Sequence, residues 1–290
     1  MTRVAQDGMR VRANAGKGSF RSKNRLEQFS REVEEQLDAL ELQEDESSGD
    51  LNKRHQSARK RAIEDRKSRI KEALKNCESV AKQRDTSKKK YPNRKMKEAR
   101  ASTTDPDSRH MQFSDGGYNP GYNVQFSTDV SSGIIVGVDC VNSGNDGHEL
   151  PPMLEQLHES YEKTPEEVLV DGGFVTLDSI LKAEQSGSRV YAPVRYEEQQ
   201  LAKGTNPYQR KPGDKPEVGR WRERMGTAYA KTIYKLRAQS AEWVNAMARN
   251  RGLRQMPVRG VEKCRTIAII YALAHNMIHT FHIKPASGMP

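Results

Sequence analysis

The sequence predicts an α/β fold in which helices flank a mixed sheet and a charged helical hairpin is inserted into the chain. Three observations lead to this prediction. Short alternating or apolar segments recur with helical segments between them, two neighbouring helical segments carry opposite charge, and a length of 290 residues allows one large domain or two small ones. Only 34% of the residues are hydrophobic and 30% are charged, so much of the chain must be solvated.

The strands are predicted from alternation and from short apolar runs. An alternating segment around Met9 forms the first strand and carries Asp7. Residues 122–138 contain two strand-like segments on either side of a Ser-Ser-Gly turn, which indicates a hairpin. Short apolar segments at 168–170 and 190–194 are the last two strands.

The predicted helices separate these strands. Leucines at helical spacing predict a helix at 149–161, and further helices are predicted at 177–185, 222–250 and 262–281. Residues 196–220 are polar, hold three prolines and are expected to form a loop or insertion. With the charged hairpin set aside, the order is strand, two strands, helix, strand, helix, strand and helices. This is the order of a ribonuclease H-like fold with a mixed sheet.

The inserted hairpin is recognised by its charge. Residues 27–50 hold ten acidic residues and one basic residue, whereas residues 53–100 hold nineteen basic and six acidic residues. Both segments have apolar residues at helical spacing, so we expect an antiparallel pair of helices whose charges attract. The positive excess is larger than the negative one, which also favours contact with nucleic-acid phosphates. The chain thus divides into a first strand at 1–20, the hairpin at 21–100 and the rest of the core at 101–290.

Composition excludes several classes of protein. The 49 Lys and Arg against 39 Asp and Glu give a net charge of +10, which favours a polyanionic partner such as nucleic acid. The three cysteines lie far apart, so neither a disulfide framework nor a zinc site is expected. The chain opens without an apolar signal segment, and its longest uncharged stretch, 266–283, contains three histidines. We therefore expect a cytoplasmic protein that makes no contact with a membrane.

Carboxylates at strand ends and on a late helix are the candidates for chemistry. Asp171 ends an apolar strand before two glycines that would let a phosphate backbone approach, Asp7 lies on the first strand, and Glu242 lies in the long late helix. Asp and Glu supply the oxygen ligands that hard divalent cations prefer. Each residue also has an ordinary structural interpretation, as a turn residue or as a solvent-facing side chain. Five other aspartates are rival candidates for the site, and spacing alone cannot choose among them: Asp105, Asp107, Asp129, Asp139 and Asp146.

A set of motifs resembles the DDE transposases of bacterial insertion sequences, which have a ribonuclease H-like catalytic core. The motifs are Val-Ala-Gln-Asp-Gly-Met-Arg-Val-Arg-Ala at 4–13, Gly-Tyr-Asn-Val-Gln at 121–125, Val-Asp-Gly-Gly-Phe at 170–174, Tyr-Lys-Leu-Arg at 234–237, Ala-Glu-Trp-Val-Asn at 241–245 and Arg-Gly-Val-Glu-Lys at 259–263. The resemblance covers nearly the whole chain, and the motifs are specific as a set.

The resemblance implies a function and a set of site residues. The catalytic and metal-binding triad would be Asp7, Asp171 and Glu242, binding two Mg²⁺ ions, with Mn²⁺ as a substitute, during DNA cleavage and strand transfer. The residues that would bind DNA are Arg237, Arg249, Lys88, Lys89 and Lys90. The implied partners are the element ends, the target DNA and a second copy of the chain on DNA, in the cytoplasm with the nucleoid.

The chain departs from the family pattern in two places. Related transposases commonly place Tyr, Arg, Glu and Lys with two, three and six residues between them. Here four residues separate Arg237 from Glu242, and Arg249 stands at the Lys position, where it can still contact phosphate. Only six residues precede Asp7, where relatives usually carry a DNA-binding region.

This second departure bears on activity. We expect a truncated copy of the transposase with little transposition activity of its own. A catalytically inactive DNA-binding remnant is the alternative function, and a nuclease acting on RNA ranks lowest.

Overall fold

The computed structural model describes residues 1–44, 50–90, 92–93 and 97–282. The chain forms two compact units. The core unit comprises Met1–Val11, Tyr122–Met256 and the chain from Glu262 onward, and the hairpin unit comprises Arg12–Gly121 with Pro257–Val261. Our division of the chain at residues 20 and 100 stays a prediction.

The regular elements follow one another in a mixed order. In chain order, the described strands are β1 (Arg3–Arg12), β2 (Phe20–Ser22), β3 (Arg100–Ser102), β4 (Arg109–Gln112), β5 (Tyr118–Asp129), β6 (Ile135–Val141), β7 (Glu167–Leu169) and β8 (Arg189–Tyr191). The described helices are α1 (Lys23–Glu44), α2 (Asp50–Lys90), α3 (Leu150–Tyr161), α4 (Leu177–Gln185), α5 (Glu197–Ala202), α6 (Pro216–Met225), α7 (Ala228–Arg237), α8 (Trp243–Asn250) and α9 (Val261–His282). A π-helical segment, Ala238–Glu242, joins α7 to α8.

The strands of the core unit lie in the order β6, β5, β1, β7, β8. β6 is antiparallel to β5, whereas β1, β7 and β8 are parallel to one another. Helix α3 precedes β7 and α4 connects β7 to β8, as expected for crossovers between parallel strands. The predicted mixed α/β fold of the ribonuclease H-like class is confirmed.

The core packs around the parallel strands. Val168, Leu169, Val170 and Val190 are almost completely buried, because helices cover both faces of these strands. A sheet covered on both faces selects continuous apolar runs, which is why these short strands were recognisable from sequence. Thr176 caps α4 by accepting a hydrogen bond from the backbone N–H of Ser179.

The predicted continuous helix at 222–250 was wrong. It is divided into α6, α7, the π-helical segment and α8, and the first break falls at Gly226 and Thr227. The Thr227 side chain accepts a hydrogen bond from the N–H of Ala230 and so starts a new helix. The predicted loop at 196–220 also contains α5 and the start of α6, where Pro216 occupies a first-turn position that tolerates proline.

The hairpin unit contains the expected antiparallel helix pair. Three ion pairs connect the two helices, namely Lys60–Glu41, Lys67–Glu34 and Lys23–Glu78. In this order the residue numbers rise along α2 and fall along α1, so the two helices are antiparallel. The seam between the helices is apolar, and its fully buried residues are Leu26, Val33, Ile70, Ala73 and Cys77. The opposite charges therefore lie beside an apolar seam. No helix in the described part of the chain is long and apolar enough to cross a membrane.

Candidate active site

The three predicted acids come from separate elements and lie around one arginine. Asp7 lies on β1, and Asp171 follows β7 by two residues. Ala5 is opposite Leu169 in the parallel β1–β7 register, and continuing that register by two residues brings Asp7 level with Asp171. Glu242 is the last residue of the π-helical segment.

The guanidinium of Arg237 contacts all three carboxylates. Its Nη2 lies 3.0 Å from Asp7 Oδ1 and 3.9 Å from Asp171 Oδ2, and its Nη1 donates to Glu242 Oε1 at 2.5 Å. The Arg237 side chain is only 10% exposed, whereas that of Glu242 is 53% exposed. The site is therefore buried at Asp7 and Arg237 and opens to solvent at Glu242.

Further hydrogen bonds fix the two aspartates. The Asn245 side chain donates to Asp7 Oδ2 at 2.9 Å, and the backbone N–H of Gly8 donates to Asp7 Oδ1 at 3.0 Å. The N–H of Gly173 donates to Asp171 Oδ1 at 2.7 Å, which closes a turn over the end of β7. Both carboxylates thus have one orientation that the backbone helps to set.

Burial and neighbouring charge act on the ionisation of the site. Burial raises the pKa of Asp7 and the charge of Asp171 adds to the rise, while Arg237, Asn245 and the Gly8 N–H oppose it. Burial alone would lower the pKa of Arg237, but the surrounding acids more than offset it and raise that pKa. The guanidinium therefore stays charged and balances a cluster of carboxylates that would otherwise repel one another.

The π-helical segment explains the unusual spacing between Arg237 and Glu242. In a regular α-helix, residues five apart point about 140° away from each other around the axis. A π-helical turn instead closes with a bond from residue i to i+5, so residues five apart lie one above the other. The extra residue is absorbed at Ala238–Glu242, and Glu242 meets Arg237 as an i, i+4 pair would in an α-helix.

A comparison with known protein families identifies the family of the chain. The model of the transposase DDE domain family matches residues 96–277, which is more than half of the chain. The chain belongs to this family. No curated protein and no solved structure matches the chain significantly. The resemblance seen in the sequence is confirmed, and family membership links the chain to DNA transposition with DNA as its partner.

The matched segment of the transposase DDE domain contains Asp171, Arg237 and Glu242, whereas Asp7 precedes it. The structure brings Arg237 into the acid cluster and leaves Arg249 exposed near the end of α8. Two of the predicted DNA-binding lysines, Lys88 and Lys89, are exposed at the end of α2, and the side chain of Lys90 lies outside the described residues.

The rival aspartates have structural partners. In the hairpin unit, Asp105 accepts from the N–H of Gly260 and Asp107 accepts from the N–H of Val261. In the core unit, Asp129 caps the β5–β6 turn, Asp139 pairs with Arg265, and Asp146 accepts from Arg10, Asn123 and Gln125. These contacts give each rival a role in holding loops and strands together.

Two contributors stand in the quoted motifs but were given no role in the sequence analysis. Asn245 is almost fully buried and holds Asp7, and its position three residues after Glu242 on the same helix face was the available signal. The packing role of Gly8 was also not predicted. A Cβ at Gly8 would lie 2.4 Å from Asp146 Oδ1 and 2.5 Å from Gln125 Nε2, so only glycine lets β1 pass this network.

The donor set suits a hard divalent cation in its chemistry, because carboxylate oxygens are the ligands that Mg²⁺ and Mn²⁺ prefer. In the arrangement seen here, Arg237 lies among the three carboxylates. Among the described residues, no group of three or more His, Cys, Asp or Glu is arranged to hold a metal ion. The guanidinium supplies the positive charge that this cluster requires.

Proposed function

We propose that this protein is a DNA transposase whose Asp7, Asp171 and Glu242 carry metal-dependent strand cleavage and strand transfer. The observation that carries the proposal is the meeting of these three acids around Arg237, from strand β1, the end of strand β7 and the π-helical segment. Membership of the transposase DDE domain family supports the choice of reaction and of DNA as substrate.

The proposed roles follow from the contacts. Asp7, Asp171 and Glu242 would hold the divalent cations, which when bound activate the attacking oxygen and stabilise the leaving oxygen. Asn245 keeps Asp7 in one rotamer by donating to Oδ2. Arg237 supplies a positive charge beside the three carboxylates, and its planar guanidinium is also suited to hold a DNA phosphate next to them.

Helix α2 offers a surface for the DNA backbone. Exposed basic residues recur on it every seven residues, with Ser68 as one interruption, and these residues are Arg54, Arg61, Lys75, Lys82 and Lys89. Seven residues are close to two helical turns, so they form one stripe with a repeat of about 10.5 Å. The stripe faces away from the seam at Ile70, Ala73 and Cys77. We call it the basic stripe and propose that it contacts phosphates without reading bases.

The decisive experiment is nicking of supercoiled plasmid with Mg²⁺ or Mn²⁺. Asp171→Asn and Glu242→Gln should each lower the nicking rate by about 100-fold or more, because each removes a carboxylate charge with little change of shape. Asp178→Asn is the matched control, since Asp178 is an exposed acid paired with Lys182 on α4. Nicking that survives in both site variants would contradict the triad.

The same nicking assay distinguishes the transposase from a second candidate function. The position of Arg237 among the acids favours a catalytically inactive protein that binds DNA. That candidate predicts that the unaltered chain binds DNA but does not nick it with either metal. Nicking that is lost in the Asn and Gln variants would reject it.

A further inference from the structure

Asp146, in the loop between β6 and α3, binds three polar side chains of β1 and β5. Its Oδ1 accepts hydrogen bonds from Asn123 Nδ2 at 2.6 Å and from Gln125 Nε2 at 2.8 Å. Its Oδ2 accepts from Arg10 Nη2, also at 2.8 Å. Asn123 and Gln125 are almost completely buried and belong to the Gly-Tyr-Asn-Val-Gln motif at 121–125, to which the proposed triad gives no role. A buried polar network of this kind holds its members in one arrangement.

The cluster around Asp146 packs directly against the backbone of β1 beside Asp7. A Cβ at Gly8 would lie between 2.4 and 2.7 Å from polar atoms of Asp146 and of the two β5 side chains. The N–H of Gly8 in turn donates to Asp7 Oδ1 at 3.0 Å. The position of Gly8, and through it the position of the Asp7 carboxylate, therefore depends on this cluster.

Gly147, the next residue of the same loop, contacts the segment that follows Asp171. The Ser179 hydroxyl donates to the C=O of Gly147, and Thr176 Oγ1 lies 3.2 Å from the same oxygen. A Cβ at Gly147 would lie 2.9 Å from Thr176 Cγ2 and 3.6 Å from the carbonyl oxygen of Gly173. The backbone of the loop therefore packs closely on this segment.

Hydrogen bonds within the segment connect this contact to Asp171. The N–H of Phe174 donates to the C=O of Asp171 at 3.2 Å, and the N–H of Thr176 donates to the C=O of Phe174 at 3.0 Å. The N–H of Gly173 donates to Asp171 Oδ1 at 2.7 Å. The contact at Gly147 therefore also restrains the Asp171 carboxylate.

Pairing of the strands themselves ends before the two aspartates. In the described structure, the last paired residues of β1 and β7 are Ala5 and Leu169, each two residues before an aspartate of the site, Asp7 or Asp171. Beyond this point the twist of the sheet lets neighbouring strands diverge, so another element must hold the carboxylates at a fixed separation. The loop at 145–149 contacts the backbone next to both of them.

We propose that residues 145–149, which we call the tie loop, set the separation of the Asp7 and Asp171 carboxylates, with Asp146 as the positioning residue. This role rests on the proposed function, in which the two acids bind divalent cations. In two-metal sites the ions lie about 3.5–4 Å apart, so their ligands must keep a fixed spacing. Removal of a residue that orients metal ligands without touching the metal typically lowers metal affinity or activity by about 10- to 100-fold.

Plasmid nicking over a range of Mn²⁺ concentrations tests the role of Asp146, at a temperature well below the unfolding midpoint of each variant. Asp146→Asn should raise the Mn²⁺ concentration for half-maximal nicking by about 10- to 100-fold. Asp129→Asn is the matched control and should leave it unchanged, because Asp129 accepts its hydrogen bonds in the β5–β6 turn of the same unit. A purely structural role would lower the unfolding midpoint of Asp146→Asn without changing its Mn²⁺ requirement, and this result would overturn the proposal.

Exchange of an amide and a carboxylate tests the contact between the tie loop and β5. Asp146→Asn removes the carboxylate that pairs with Arg10, and Asn123→Asp sets two carboxylates side by side, so each change alone should raise the Mn²⁺ requirement. The double variant again has one carboxylate and one amide beside Arg10. It should return the Mn²⁺ requirement to within about threefold of that of the unaltered protein. A double variant at least as defective as the worse single variant would overturn this role of the contact.

Hydrogen exchange of the metal-free chain distinguishes failure of the tie loop from failure of the proposed function. Asp146→Asn should speed exchange by at least about tenfold in peptides that cover residues 3–11 and 170–179, and should leave exchange in β8 unchanged. No change in either peptide, or an equal change throughout the core unit, would overturn the tie loop. An unaltered chain that nicks no DNA with Mn²⁺ contradicts the proposed function instead, and the exchange pattern then still decides whether the loop holds both aspartates.

Discussion

Arg237 is the residue on which the charge balance of the site depends, because its one positive charge faces three carboxylates. Burial raises the pKa of Asp7 above 3.8, so the ionised form of Asp7 lowers stability as the pH rises through that pKa. Arg237→Gln removes the main opposing charge and should make this loss larger. We expect the variant to lose about 3 kcal/mol of stability at pH 7 and less near pH 4.

Thermal unfolding across this pH range, with and without Mg²⁺, checks the prediction. Mg²⁺ should raise the Tm of Arg237→Gln more than that of the unaltered protein, since the cation can then replace the missing charge. Arg220→Gln is the control, because Arg220 is exposed and its ion pair is with Glu217 on its own helix. Equal pH dependence in the variant and the unaltered protein would contradict the role given to Arg237.

Glu149 is a second acid whose ionisation opposes folding. Burial, followed by the charges of Asp139 and Asp146, raises its pKa to about 7, against an ordinary value of 4.5. Its contribution to stability is therefore fully present below pH 4.5 and is lost as the pH rises to 7 and above. Glu149→Gln should remove this dependence and be more stable than the unaltered protein at pH 8 by about 1 kcal/mol. Urea unfolding at pH 5 and pH 8 measures it, with the exposed Glu155→Gln as control.

Gly8 shows how a backbone position supports the site. Gly8→Ala would drive a methyl group into the hydrogen-bonded network of Asp146, Gln125 and Asn123, directly beside Asp7. We expect a loss of about 1–3 kcal/mol, as for other overpacked positions. Gly16→Ala is the matched control, because nothing lies within 4 Å of a Cβ at that position. Similar unfolding midpoints for the two variants would argue against a tight fit at Gly8.

At the scale of elements, the π-helical segment is the feature that makes the acid cluster compatible with this sequence. If it absorbs one extra residue, then deletion of the exposed Gln239 should turn Ala238–Glu242 into ordinary α-helix and keep Arg237 beside Glu242. We expect the deletion variant to remain folded and to retain plasmid nicking within about tenfold. Deletion of Ala246 in the regular helix α8 should instead rotate the residues after the deletion by about 100° relative to those before it, which should unfold the helix. Equal damage from both deletions would refute the interpretation.

The elements also show which features a sequence reveals. The parallel strands were predictable because their two covered faces require continuous apolar residues such as Val168, Leu169 and Val170. The break at Gly226 and Thr227 was not predictable from sequence. A threonine that caps a helix cannot be told from any other polar residue until the structure shows that it accepts a hydrogen bond from the N–H of Ala230. The π-helical segment was not predicted either, because its only sign in the sequence was the extra residue between Arg237 and Glu242 relative to the family pattern.

At the scale of the whole molecule, sequence motifs predicted the three acids but could not predict that a positive charge lies between them. The position of Arg237 depends on the meeting of β1, β7 and α7, which are far apart in the chain. The hairpin was predictable from its charge blocks, because attraction across a seam leaves a pattern in composition. Its outward basic stripe became visible only when the seam residues showed which side of α2 faces solvent.

The basic stripe carries the last prediction, which concerns binding of DNA by the full chain. Each phosphate contact releases counterions and contributes about 0.9 to the slope of log K against log salt. Replacing the five residues of the stripe by glutamine should lower the magnitude of that slope by up to about 4.5 and weaken binding equally for unrelated sequences. Fluorescence anisotropy with two unrelated duplexes from 50 to about 300 mM salt measures both effects.

The control for the stripe removes the same charge elsewhere. In this control variant, five exposed basic residues of the core unit are replaced by glutamine: Lys163, Lys182, Lys203, Lys215 and Arg220. Because both variants have the same net charge, general attraction of DNA to a basic protein changes equally in the two. A larger fall in slope for the stripe variant therefore reports direct phosphate contacts. Equal slopes would mean that α2 is a solvated face whose positive charge serves only its pairing with α1.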